Sequence, residues 1–438
     1  MNLTLKLHAA ALLALTTLAA PAYAQTEIQW WHSMGGALGE WVNDLANEFN
    51  ASQKDYKVVP SFKGSYDQSM TAAIAAFRAG NAPNILQVFE VGTATMMASK
   101  GAIVPVAQIM KESGFKFEPS AYVSAVAGYY TAPNGQMLSM PFNSSTPVFY
   151  FNKDAFKAAG MDPEKAPATW PEVALAAAKL KASGHKCPFT TSWQSWTQLE
   201  SFSAWHNTLF ATKANGFGGL DTRLVINTPL HVRHIENLAN MSKQGLFVYK
   251  GRNNTPDATF PSGECAMYTG SSALYGSVAK NAKFAYGMAP LPYYPDVAGA
   301  PQNTVIGGAS LWVMAGKKPA EYKGTAAFFN FLSSTEVQAK SHQRTGYLPI
   351  TKAAFEATDK SGFYKKNPGT DVAVNQMIRK TTDKSRGIRL GNMVQIRTVI
   401  DEEMELVWSG KKSAKEALDS AVTRGDELLE RFQKANKG

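Results

Sequence analysis

Cysteine is scarce in this chain. Among 438 residues there are two, Cys187 and Cys265. That excludes a disulfide-rich scaffold and every four-cysteine zinc site. In an oxidising compartment the two could pair, or they could be separate buried thiols, and their spacing leaves both open. There are seven histidines. His231 and His234 stand at i, i+3 on an expected helix, but no HExxH pattern or matching acid accompanies them, so no metal site is expected. Catalytic serine motifs are missing as well. Gly270-Ser271-Ser272 and Gly308-Ala309-Ser310 do not complete a GxSxG elbow. Gly410-Lys411-Lys412-Ser413 lacks the upstream glycine of a phosphate-binding loop. Glu402 and Glu403 are adjacent, and adjacent residues on a helix point apart. No constellation for an enzyme emerges, and neither a cofactor nor a metal is expected.

Long apolar runs are absent too. Ala9 to Ala20 is too short to span a bilayer comfortably, and no later stretch comes near the roughly 20 apolar residues a span needs. Lys6 before that run and Ala22-Tyr23-Ala24 after it make residues 1–24 an expected secretory signal, cleaved before Gln25. The mature chain is therefore expected in the periplasm, free of a lipid anchor, since no Cys follows the cleavage site.

The formal charge is +10, from 44 basic and 34 acidic residues. The basic residues are interspersed with acids and form no nucleic-acid motif, so a nucleic-acid partner is not expected. Arg379, Lys380, Lys384, Arg386 and Arg389 make the densest basic stretch and read as a solvated loop face. A modest positive bias suits a protein that collects small anions. Apolar content of 45% and charge of 18% describe a globular chain, long enough for two domains.

The chain begins with βα alternation. Ile28–Trp31, Tyr56–Pro60 and Ile85–Phe89 read as strands. Between them lie a helix with Leu38, Trp41, Val42, Leu45 and Phe49 on one face and an Ala-rich helix from Gln68 to Arg78. This order predicts a largely parallel sheet with ligands beyond the carboxyl ends of its strands, where Tyr66 and Glu90 fall. The stretch Met140–Phe156 runs from Asn143, Ser144, Ser145 and Thr146 into an apolar strand, as a connector between two lobes would. Thr169 and Glu172 form a capping box. Trp193 and Trp196 follow a polar turn, which favours partial exposure in a cleft over plain core packing. Small residues at Gly270–Ser272 and Gly307–Gly308 let backbone N–H groups approach an anion. Pro290, Pro292 and Pro295 mark a second crossing, and Thr345–Ile350 a third. A long amphipathic helix opened by Ser413 and Glu416 closes the chain.

Several stretches resemble the extracellular solute-binding proteins, the family that includes the maltose-binding proteins, and within it the glycerol-phosphate subgroup. They are GNAPNILQVFEVGTATMMASKGAI, PFNSSTPVFYFNKDAFKAAGMDP, WQSWTQLESFSAW, GGASLWVM, TGYLPITKAAF and RLGNMVQIR. The likeness runs over essentially the whole mature chain and loosens around Asn207–Ile226 and Arg379–Arg386. It implies an α/β, two-lobed, type II periplasmic-binding-protein fold with hinge crossings. Lobe I would take residues 25–143 and 291–347, and lobe II residues 144–290 and 348–438. It also implies a monomeric, non-enzymatic component of an ABC importer, working with inner-membrane permease subunits. The implied ligand is sn-glycerol 3-phosphate or a glycerophosphodiester such as glycerophosphocholine. A sugar or oligosaccharide receptor of the same fold is the alternative, and a secreted phosphodiesterase or glycosidase the alternative from another class.

By motif, the resemblance implies ligand contacts at Tyr66, Glu90, Ser145, Ser271, Gly308, Tyr347 and Arg397, with Trp193 and Trp196 as walls. Phosphate wants neutral donors and a guanidinium, so Tyr66, Ser145, Ser271, Tyr347, the Gly308 N–H and Arg397 would form its cage. Glu90 would face the other end and accept from the glycerol hydroxyls. The likeness departs at Tyr268 and Gly270, which implies a reshaped pocket beside Ser271.

Overall fold

A computed structural model describes residues 25–437. The expected signal segment, residues 1–24, lies outside the described residues. The described residues form ten strands: β1 (Thr26–His32), β2 (Tyr56–Phe62), β3 (Ile85–Phe89), β4 (Ile103–Val104), β5 (Met140–Ser145), β6 (Pro147–Asn152), β7 (Cys187–Thr191), β8 (Cys265–Ser271), β9 (Tyr286–Ala289) and β10 (Gly307–Met314). They build two sheets. The first has the order β2-β1-β3-β10-β4, with β5 also paired to β10, and the second has the order β7-β8-β6-β9.

The expected parallel character holds for β2-β1-β3 and for β7-β8. Elsewhere it fails. Strand β10 runs antiparallel to β3, β4 and β5, and β6 runs antiparallel to β8 and β9. The reason lies in connectivity. A crossover helix returns a chain to the same end of a sheet and gives parallel neighbours. Strand β10 instead enters the first sheet directly from the second and so runs the opposite way.

That reversal positions the cleft. In the β10–β5 ladder Gly307 faces Ser145 and Gly308 faces Ser144, while Ala309 sits opposite Phe89, the last residue of β3. Two residues past Ser145 the chain joins the second sheet, where Pro147 faces Ser271. The ends of β3, β5 and β8 and the start of β10 therefore converge.

Helices cover both sheets. The helix Gly36–Ser52 buries Trp41, Val42, Leu45 and Phe49, the face its periodicity predicts. The helix after β2 begins at Tyr66 rather than Gln68, because Ser65 and Gln68 close a capping box and start it there. The Thr169–Glu172 capping box opens Trp170–Ala182 as expected, and Ser413 with Glu416 opens the closing helix Ala414–Asn436.

Cys187 and Cys265 form a disulfide that joins neighbouring residues of the parallel pair β7 and β8. His231 and His234 are core histidines. Ser203 and Thr228 hydrogen-bond His231 at 2.8 and 2.6 Å, and Phe202 stacks on His234 at 4.0 Å. In the basic stretch, Arg379, Lys380, Lys384 and Arg386 are exposed, but Arg389 packs its guanidinium over Phe217 at 4.4 Å.

Candidate functional site

The converging strand ends open onto a cavity of about 810 Å³. All nine residues singled out from the sequence line it.

Four of them form a polar rim, three at strand ends and one after a helix. Ser145 ends β5, and its hydroxyl has no protein partner among the described residues. Ser271 ends β8 and accepts from the Ala273 N–H at 3.1 Å, which leaves its own proton free to donate. Gly308 has φ +82°, and a Cβ there would lie 1.8 Å from the Asn143 carbonyl oxygen, so only glycine fits. Tyr347 follows the left-handed Gly346 that ends the helix Thr335–Thr345. Its phenol points to the Met34 sulfur at 3.4 Å, and burial pushes it up to about 12.

Tyr66 stacks on Phe89 with ring centroids 5.0 Å apart, and its oxygen accepts from Asn143 Nδ2 at 3.0 Å. Asn143 is itself held by Gln87 at 2.9 Å. The phenol is thus locked by a buried amide pair, and burial holds its pKa well above the ordinary tyrosine value.

The tryptophans differ. Trp193 is half-buried and has φ +47°, a left-handed conformation that an aromatic residue rarely adopts. Its N–H donates to Asn253 O at 2.9 Å, and its ring lies 6.4 Å from that of Tyr66. Trp196 is buried, and a Cβ on Gly307 would lie 2.3 Å from its ring. It is therefore both a cavity wall and the plate that packs against β10.

At the far side stands an ion cluster. Arg397, on the helix Met393–Trp408, donates to Glu90 and makes two bonds of 2.8 Å to Glu200. Ser195 adds a 3.0 Å bond to Glu200. All three charged side chains are buried. Burial alone would lower the Arg397 pKa, but Glu200 and Glu90 hold it above the ordinary value. Burial pushes Glu90 up, against the pull of Arg397.

This corrects one expectation. Arg397 and Glu90 were expected at opposite ends of a ligand, and they touch. The physical reason is that a buried guanidinium needs compensating charge and finds it in two carboxylates. The cluster carries a net charge of −1 with both acids ionised, so it suits hydroxyl groups better than phosphate. Glu200 was missed from the sequence. One signal could have found it: it is the only acid between Cys187 and Leu220, set in an apolar, aromatic stretch. Asp257 was missed too. It lines the cavity, and Tyr268 donates to its Oδ1 at 2.6 Å.

Comparison with known proteins agrees with this architecture. A family model described as bacterial extracellular solute-binding protein matches residues 44–371. A Pectobacterium atrosepticum protein named sn-glycerol-3-phosphate-binding periplasmic protein UgpB is 55% identical over 431 residues, covering 98% of this chain and 97% of its own. The Salmonella typhimurium protein of the same name is 55% identical over 418 residues, 95% of each chain. Among solved structures, UgpB from Mycobacterium tuberculosis in complex with glycerophosphocholine aligns with a TM-score of 0.79 at 23% identity, covering 93% of this chain and 99% of that one. Maltose-bound MalE3 of T. maritima aligns at 0.75 and 17% identity, covering 93% and 100%. These two likenesses establish the fold, that of the maltose-binding-protein type. The chain belongs to the bacterial extracellular solute-binding proteins.

Proposed function

We propose that this protein is the periplasmic solute-binding component of an ABC importer. It captures sn-glycerol 3-phosphate, and glycerophosphodiesters such as glycerophosphocholine, between its lobes and delivers them to an inner-membrane permease. It works as a monomer and catalyses no reaction. Full-length identity of 55% to relatives named for glycerol 3-phosphate carries the ligand class. The cleft supplies the chemistry.

The polyol end of the ligand meets the Arg397–Glu90–Glu200 cluster. There the carboxylates accept from the two glycerol hydroxyls and the guanidinium N–H groups donate to their oxygens. The phosphate lies across the strand ends, where Ser145, Ser271, the Gly308 backbone and the phenols of Tyr66 and Tyr347 surround it with neutral donors. Trp193 and Trp196 wall the site and can meet a choline head through cation–π contact. Capture by closure is a population shift, so a ligand favours the closed form only by contacting both lobes. Ser145 and Gly308 belong to the first sheet and Ser271 to the second, so one phosphate group reaches both.

The solved sugar receptors of the same fold support a second reading, an oligosaccharide receptor. A thermal-melt comparison of the mature protein separates the two. Glycerol 3-phosphate at about a hundred times its dissociation constant should stabilise the fold by roughly 2.7 kcal/mol. Glycerol, inorganic phosphate and maltose should have little effect. A shift with maltose alone would overturn the phosphate reading.

A further inference from the structure

We propose that the cavity has a second charged end, built around Asp257, that takes the cationic ammonium head of a glycerophosphodiester. This rests on the glycerol-phosphate reading of the cleft. Three carboxylates line the cavity, and two of them have protein cations: Glu90 pairs with Arg397 and Glu40 with Lys280. Asp257 has no cationic partner among the described residues. Its protein contacts are the hydroxyls of Tyr268 and Ser192.

The surroundings make this a built acceptor. Asp257 lies in the short turn Thr255–Thr259 and is half-buried, with its open side on the cavity. The Tyr268 phenol touches both Asp257 and the Ser192 hydroxyl. Each of these hydroxyls has one proton, so at most two protein protons reach the carboxylate. Gly270 permits the arrangement, since a Cβ there would lie 2.5 Å from both the Ser192 and the Tyr268 oxygens. A carboxylate offers about four acceptor sites, so the protein leaves capacity unused.

Position completes the case. Asp257 and Tyr347 line the same cavity, and the Asp257 charge helps to raise the Tyr347 phenol's pKa, so Asp257 stands on the side of the phosphate donors. The Trp193 backbone N–H is tied to Asn253 O, two residues before that turn. A substituent carried by the phosphate would therefore pass between an indole and a carboxylate. Both attract a cation. A phosphate monoester carries about −1.5 to −2 at neutral pH and is repelled there, whereas a zwitterionic diester is not. A cavity of about 810 Å³ has room for the longer ligand.

The test is calorimetric titration of the mature chain and its Asp257→Asn variant with four probes: glycerophosphocholine, glycerophosphoethanolamine, glycerophosphoglycerol and glycerol 3-phosphate. The variant should bind the two cationic diesters about tenfold more weakly and glycerophosphoglycerol within about threefold of wild type. It should bind glycerol 3-phosphate as well as wild type or better. Asp257→Glu, which keeps the charge, should restore much of the preference for cationic heads. Equal losses on all four probes, or no change on the cationic pair, would overturn the assignment of Asp257 alone. Wild-type protein that binds none of the four would overturn the glycerol-phosphate reading with it.

Discussion

Arg397 is ion-paired with Glu90. Glu90 directly follows β3 of the first sheet, and Arg397 sits on a helix that packs against Pro229–Lys243 and Ala414–Asn436. Glu200 shares the guanidinium. The pair therefore ties that helix to the end of β3 at the point where the polyol is proposed to bind.

Replacing Arg397 by Ala should be costly even without ligand. Two buried carboxylates would lose their cation, and breaking such a cluster costs about 3–5 kcal/mol. Urea denaturation of the ligand-free variant measures it. A change within about 0.5 kcal/mol, the usual range for a surface charge, would contradict the buried cluster.

Gly308→Ala should damage fold and binding together, because the added Cβ meets the Asn143 carbonyl oxygen at 1.8 Å in a left-handed backbone. A loss of about 2–4 kcal/mol is expected. Gly135 is the control. It has a similar φ of +83° but open space around its Cβ position, so Gly135→Ala should cost only about 1 kcal/mol and leave binding intact.

The Cys187–Cys265 disulfide closes a sequence separation of 78 residues. Replacing both cysteines by Ser should lower stability by about 2–4 kcal/mol, and denaturation of the wild type under reducing conditions should approach the same midpoint.

Asp401 lies one helical turn beyond Arg397. Burial pushes it up to about 7, against the pull of Gln194, Arg252 and Arg397, and its Oδ1 has no hydrogen-bond partner. Between about pH 4 and pH 7 the folded state holds a proton that the unfolded chain has lost. This group's contribution to stability is therefore greatest below pH 4 and fades as pH rises through 7. Asp401→Asn should raise the melting temperature at pH 8, by at most about 4 kcal/mol in stability, and change little at pH 4. The buried histidines act in the opposite sense. Burial lowers His32, His206 and His342 to about 4 and His231 to about 3. The unfolded chain takes up those protons first, so the wild type should lose stability as pH falls from about 6 to 4.

Local signals in the sequence carried far. The Trp41–Phe49 periodicity and the Thr169 and Ser413 capping boxes gave real elements, because helix faces and caps are set by neighbours within a few positions. The nine site residues meet in one cavity, and four of them, Glu90, Ser145, Ser271 and Gly308, sit at strand ends or small-residue turns that the sequence marked. Long-range partnership was not legible. That β10 inserts antiparallel between β3 and β4, and that Glu200 reaches Arg397 across 197 positions, depends on how distant segments assemble. For the same reason the sequence set Glu90 and Arg397 apart when they bind each other. The disulfide was undecidable from two cysteines alone, since pairing needs Cys187 and Cys265 to be neighbours across β7 and β8.

The central claim is that the cleft recognises glycerol hydroxyls and phosphate together. Titration calorimetry with sn-glycerol 3-phosphate and with propyl phosphate, which keeps the phosphate and lacks both hydroxyls, tests it most directly. A site built to bond hydroxyls rejects the analogue without them by about 10⁴-fold, because closure takes the remaining donors and acceptors of the Arg397–Glu90–Glu200 cluster out of water with no hydroxyl to meet them. The account predicts tight binding of the first and a loss approaching that size for the second. Equal affinity for the two phosphates, or binding of maltose with glycerol 3-phosphate silent, would contradict it.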